Sequence, residues 1–189
     1  CENHSHEGMS EVFDLGELKN LKINLAGIHQ AENASLAVKT AQILGIDERY
    51  IRSGLKRARN IGRFEKLSEN PTVIFDGAHN LNGTEALVGA INRYFPEAKL
   101  SIIYAAMADK DIDASLHYLK ENGFAKRTEV FTVPVKDNPR AEIPEKLAEK
   151  FRSFGFYATP CETIGEAYKK ATDKNNTVLI CGSLYLYKD

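Results

Sequence analysis

The chain has 189 residues, of which 43% are hydrophobic and 27% charged, with a formal net charge of −1. That size admits one large domain, or one domain with a piece of another, and the balanced charge argues against a nucleic-acid binder, which needs an excess of Lys and Arg. No apolar run approaches the length of a membrane span, and the three cysteines Cys1, Cys161 and Cys181 form no pairing framework, so the chain reads as cytoplasmic, from a reducing compartment.

Cys1 to Ser10 is polar and acidic, unlike a signal peptide, and reads as a solvated terminus. The absence of an initial Met suggests a fragment or a processed form. Val12 to Leu15 and Leu21 to Leu25 are short strand-like pieces around a polar turn at Gly16 to Asn20. Gln30 to Leu44 follows as a helix, with Ala34, Ala37, Val38, Ala41 and Leu44 on one stripe and Gly45 as its stop. A second helix runs from Glu48 to Arg57. Two hairpin strands and two helices do not easily bury a core of their own, so residues 1–60 read as the tail of a preceding domain.

Beyond residue 60 the pattern changes. Thr72 to Phe75 is a buried strand, and the helix after it carries Leu87, Val88, Ile91 and Phe95. Lys99 to Tyr104 is the next strand, followed by Ile112, Leu116 and Leu119 at helical spacing. Glu129 to Val133 reads as strand, Ile143 to Phe151 as helix, Phe156 to Thr159 as a weak strand, Ile164 to Ala171 as a short helix and Thr177 to Cys181 as a closing strand. This β-α-β-α order predicts an α/β fold, a mostly parallel, Rossmann-like sheet with helices on both faces over residues 61–189. Ligands of such folds gather at the carboxyl ends of the strands.

Four segments fall on that edge. In "IFDGAHN", residues 74–80, Asp76 closes its strand, and a carboxylate there can accept both hydroxyls of a ribose. Gly77 permits a sharp turn, and His79 can stack on or hydrogen-bond a base or sugar. Asn82-Gly83-Thr84-Glu85 resembles a capping box that points a helix N-terminus at the same spot. Asp76 and His79 serve equally well as turn and cap partners. Arg63, in "IGRFEKL", has a guanidinium suited to nucleotide phosphates, although the basic run before it reads on its own as a solvated helix face. "DKD", Asp109 to Asp111, contains Lys110. In "NPRA", Asn138 to Ala141, Pro139 stiffens the loop and Arg140 can clamp a carboxylate. "CGSLYL", Cys181 to Leu186, closes the last strand, where Gly182 and Ser183 offer a backbone N–H and a hydroxyl. Each segment singly is more often a turn than a site. His4, His6 and Cys1 match no established metal-ligand spacing. No G-x-x-x-x-G-K-[ST] phosphate loop occurs in the 189 residues.

"GIHQAENASLA" (27–37), "GRFEKL" (62–67), "DGAHN" (76–80), "DKDI" (109–112), "PRA" (139–141) and "GSLYL" (182–186), in that order, resemble folylpolyglutamate synthase, often bifunctional as dihydrofolate synthase, within the Mur-ligase superfamily. The resemblance runs from about residue 11 to the end. It implies an N-terminal P-loop ATPase domain, of which residues 1–60 would be the last segment, followed by a Rossmann-like domain at 61–189. It implies an ATP-dependent ligase that phosphorylates the carboxyl of dihydropteroate or a folate, after which the nitrogen of L-glutamate displaces phosphate to form an amide. Carried over by motif, Asn33 would contact the adenine, Arg63 the phosphates and Asp76 the ribose, with His79 beside it. Lys110, Arg140 and Ser183 would serve the glutamate side. No catalytic residue and no metal ligand is assigned within the chain; the phosphate loop and the Mg²⁺ ligands would belong to the preceding domain, its partner, without which the chain would be inactive. Two positions depart from the pattern: Leu81 stands where proline usually follows "HN", and Ala105 where glycine commonly precedes "DKD". The competing readings are another Mur-type amide ligase, or a stand-alone nucleotide- or amino-acid-binding module.

Overall fold

A computed structural model describes residues 1–174 and 176–188. The chain divides into two compact units, Cys1–Ile61 and Gly62–Asp189.

The first unit begins with an antiparallel sheet of three strands, β1 (Glu2–Glu7), β2 (Ser10–Leu15) and β3 (Leu18–Ile23), in that spatial order. The segment expected to be a solvated terminus is therefore a strand. It lacks an apolar alternation because it lies on the edge with both faces largely exposed. Two helices follow, α1 (Ile28–Ile43) and α2 (Glu48–Arg57). Together they bury a small core of Phe13, Leu21, Ile23, Ala31, Ala34, Val38, Ile51 and Leu55, more than the two strands and two helices read from the sequence would easily supply. The third strand and the alanines of α1, which let the helix approach the sheet, supply what the sequence pattern did not show. The opposite face of α1 stays uncovered in this unit, with Leu36 at 71% and Ile43 at 85% exposure. Glu11 is fully buried, accepting the Gly27 N–H at 3.2 Å and lying 2.6 Å from His4 Nε2.

The second unit holds a six-stranded sheet. Its elements are β4 (Glu65–Glu69), β5 (Thr72–Asp76), α3 (Leu81–Tyr94), β6 (Leu100–Tyr104), α4 (Asp113–Glu121), α5 (Phe124–Arg127), β7 (Thr128–Thr132), α6 (Pro144–Ser153), β8 (Tyr157–Pro160), α7 (Ile164–Thr172), β9 (Thr177–Cys181) and a closing 3-10 turn, Leu184–Lys188. The strand order is β4-β5-β9-β6-β7-β8, parallel except for β4, which pairs antiparallel with β5. This is the α/β arrangement that the alternation of elements implies, with one added edge strand. β4 is polar and half-exposed, so its sequence carries no burial signal.

The central strands are buried on both faces and read as continuous apolar runs for that reason. On one face Val73, Phe75, Ile103, Phe131, Val178 and Ile180 pack with Ala167 and Ala171 of α7 and with Leu186. Burial of each large side chain there contributes roughly 1.5–3 kcal/mol. On the other face Ile102 and Leu179 meet Leu87 of α3, Leu116 and Leu119 of α4 and Phe151 of α6. Three crossovers run in one direction along the sheet and α7 returns to insert β9 between β5 and β6. Right-handed crossovers place outbound and returning helices on opposite faces, as found. The chain that leaves β5 enters α3 on one face, whereas the closing 3-10 turn that leaves β9 packs Leu186 on the face of α7, so the two part at their carboxyl ends.

Candidate functional site

The last residues of the parallel strands line up in one row, with Asp76 beside Cys181, Cys181 beside Tyr104, Tyr104 beside Thr132 and Thr132 beside Pro160. The "DGAHN", "GSLYL", "DKD" and "PRA" segments therefore leave the sheet along a single edge. Strands stand about 4.8 Å apart, so the β5 and β7 ends of that row are separated by about 14 Å. The candidates form two groups rather than one.

At the β5 end, Asp76 is 9% exposed. Its Oδ1 accepts the Ala78 N–H at 2.7 Å and its Oδ2 the Phe64 N–H at 2.8 Å. Phe64 stands at a φ of +44°, a conformation few non-glycine residues adopt, and the bond to Asp76 holds it there. The neighbouring Gly62, at φ +72°, accepts the Gly77 N–H on its carbonyl at 2.8 Å and donates its own N–H to Glu65 Oε2 at 3.0 Å. A loop and a turn are thus locked together, with Arg63 between the locked residues. The Arg63 side chain is exposed and makes no hydrogen bond or ion pair among the described residues. His79 donates from Nδ1 to the Gly77 carbonyl at 2.9 Å in the tautomer that leaves Nε2 available. Burial raises the Cys181 thiol well above its ordinary pKa, and the Asp76 charge beside it acts in the same direction, so this cysteine is a packed neutral group.

Helix α3 starts at Leu81, and its cap is Asn80, whose side chain accepts the Gly83 N–H at 2.8 Å. The capping box expected from Asn82 is corrected to this position, two residues earlier, because the turn after Asp76 is short enough for Asn80 to reach the third amide of the helix. Leu81 occupies the first helical position, where proline is favoured but not required.

At the β6–β7 end, Asp109 Oδ2 and Arg140 Nη2 are 2.6 Å apart. The two loops are also joined by backbone, Ala108 N–H to Arg140 O at 2.8 Å and Glu142 N–H to Ala106 O at 2.9 Å. Hydrogen bonding from Arg140 holds the Asp109 carboxyl below the usual carboxylate range. Arg140 was expected to be available as a carboxylate clamp; it already holds a carboxylate of this chain. Lys110 is exposed one residue away. Ser183 follows β9, the direct neighbour of β5, and so lies apart from Asp109 and Arg140; it is buried, and its Oγ accepts the Tyr185 N–H at 3.3 Å at the start of the 3-10 turn. The "CGSLYL" segment does not prolong the strand: β9 stops at Cys181, and Gly182 turns away at φ +94°. A Cβ there would stand 2.2 Å from the Ala105 carbonyl oxygen. Ala105 itself is 1% exposed and belongs to the core.

Asn33 lies in the first unit, exposed on α1. With Gln30, Ala34, Tyr50 and Gly54 it lines a mostly apolar groove of ≈ 430 Å³ between α1 and α2. Among the described residues no group of three or more His, Cys, Asp or Glu could hold a metal ion. None of their helices is long and apolar enough to cross a membrane. Sequence reasoning missed Phe64, Glu65, Leu184 and Tyr187; a positive φ and contacts between distant segments leave no periodic signal.

Residues 62–184 match the family described as Mur ligase, glutamate ligase domain. The chain belongs to that family. A relative from Bacillus subtilis, dihydrofolate synthase/folylpolyglutamate synthase, is 30% identical over 179 residues, covering 90% of this chain and 40% of its own length. The folylpolyglutamate synthase of Mycobacterium tuberculosis, solved with ADP and AMPPCP, superposes with a TM-score of 0.83 at 27% identity over 97% of this chain and 45% of that one. The Thermotoga maritima folylpolyglutamate synthase gives 0.81 at 31% identity over 94% and 42%. This Mur ligase chain thus spans less than half the length of the proteins it matches.

Proposed function

We propose that the chain is the carboxyl-terminal part of an ATP-dependent ligase that joins L-glutamate to the carboxyl of a folate or of dihydropteroate in the cytosol. The observation that carries this reading is the exposed Arg63, without an ion pair or hydrogen bond among the described residues, held beside the Asp76–His79 turn at the carboxyl end of β5, in a chain of the Mur ligase family.

ATP phosphorylates the substrate carboxylate, and the glutamate amine then displaces phosphate to leave an amide, ADP and phosphate. What these residues contribute is position and charge. Arg63 offers a planar set of donors with no acceptor to give up among the described residues, which suits a phosphate. Two backbone amides hold the Asp76 carboxylate still at the carboxyl end of β5, the place from which it would meet ribose hydroxyls. His79 adds a free Nε2 on the same turn. Asn33, on the lip of an apolar groove, combines an amide for the edge of a base with apolar surface for its faces. Lys110, Arg140 and Ser183 are assigned to the glutamate side, with Lys110 the readiest to receive a carboxylate. Mg²⁺ would be held by groups of the preceding ATPase domain, of which residues 1–60 are the end.

The test is an assay of the full-length gene product for ATP-dependent incorporation of labelled glutamate into dihydropteroate or a reduced folate, with other amino acids as competitors. Glutamate-specific incorporation, absent from the isolated 189-residue chain, is expected. Incorporation of a different amino acid, or activity in the isolated chain, contradicts the reading.

A further inference from the structure

The closing 3-10 turn packs on the loop that carries Arg63, and it does so at two points. Leu184 is 43% exposed, yet its Cδ2 lies 2.2 Å from where a Cβ on Gly77 would stand and 2.7 Å from where one on Gly62 would stand. It fills a notch that exists only because both positions are glycine. Three residues later, Tyr187 meets Phe75 edge-on with ring centroids 5.0 Å apart. Its hydroxyl donates to Glu65 Oε1 at 3.2 Å, while Oε2 of the same carboxylate accepts the Gly62 N–H. Leu184 thus bears on the residue before Arg63 and Tyr187 on the residue two after it. The Gly77-to-Gly62 and Phe64-to-Asp76 bonds complete the fixation of this backbone.

We propose that Leu184 and Tyr187 are positioning residues for nucleotide binding, which fix the backbone from which Arg63 reaches a phosphate. This inference rests on the phosphate-binding reading of Arg63 above. A loop already ordered in the free protein binds its ligand without the entropy loss of ordering it. Neither side chain needs to touch the nucleotide. Tyr187 acts through Glu65, and Leu184 through the glycine contact.

The experiment uses the full-length gene product and measures KM for ATP, kcat and the melting midpoint of four variants: Arg63→Ala, Tyr187→Phe, the double variant and Leu184→Met. Tyr187→Phe keeps the ring against Phe75 and removes only the hydroxyl. It is expected to raise KM for ATP by about three- to tenfold with an unchanged melting midpoint, and to add nothing in the Arg63→Ala background, since residues acting through one another are not additive. Leu184→Met fills the same notch and is expected to behave as the parent. If Arg63→Ala leaves KM for ATP unchanged, the phosphate reading falls and this inference with it. If Arg63→Ala raises that KM but Tyr187→Phe does not, or if Tyr187→Phe acts equally in both backgrounds, the positioning role alone is overturned.

Discussion

At the β5 end of the sheet edge, charged groups are held by backbone. Asp76 is locked by two amides, and the loop bearing Arg63 is tied down on both sides while its guanidinium has no partner among the described residues. At the β6–β7 end, about 14 Å away by strand spacing, charged groups are held by each other, with Arg140 spent on Asp109 in an exposed pair. A preorganised site with an unmatched charge binds an opposite charge at little rearrangement. A self-neutralised pair has to be opened first, by a carboxylate that displaces Asp109 or by a neighbouring segment. The first end carries an exposed guanidinium on a backbone that is already fixed; the second is a pair of loops joined to each other.

The largest difference between the ends is expected in stability. Asp76→Ala leaves two amide donors at a buried turn without their acceptor and frees Phe64 from its bond. Unfolding in denaturant should show a loss of about 2–3 kcal/mol. Asp109→Ala removes only one member of a solvent-exposed pair, and its midpoint should coincide with that of the parent. Equal losses for the two variants would erase the distinction between a carboxylate held by backbone and one held by a side chain.

A smaller effect sharpens the second end. The Asp109 carboxyl is depressed by Arg140. Its contribution to stability is therefore present above its unfolded pKa of about 3.9 and lost as pH falls through the lower folded value. Because the pair is exposed, the effect is best read directly. In a carboxyl NMR titration Asp109 should titrate below the ordinary range, and Arg140→Gln should return it upward. An Asp109 midpoint indifferent to that change would mean that the two loops are held by their backbone bonds alone.

What could be read from the sequence follows the same division. The strands buried on both faces, β5, β6, β7 and β9, announce themselves as apolar runs, and their order gives the parallel sheet. β1 and β4 are polar edge strands, "ENHSHE" and "EKLSE", so no apolar periodicity marks them. Asp76 stood out because a carboxylate ends an apolar run, yet the sequence left it between a turn partner and a ligand group. The structure shows the turn bonds, to the amides of Ala78 and Phe64. The positive φ of Phe64 and the ion pair between Asp109 and Arg140, 31 residues apart, depend on tertiary contacts that no local pattern encodes.

The comparison is tested most directly by how two arginines divide between two substrates. In the full-length gene product, Arg63→Ala should raise KM for ATP by roughly tenfold or more, the loss of a charge-assisted contact, and leave KM for glutamate nearly unchanged. Arg140→Ala should raise KM for glutamate and leave KM for ATP nearly unchanged. Both variants weakening the same substrate, or the two effects exchanged, would contradict the assignment of one end of the sheet edge to nucleotide and the other to the amino acid.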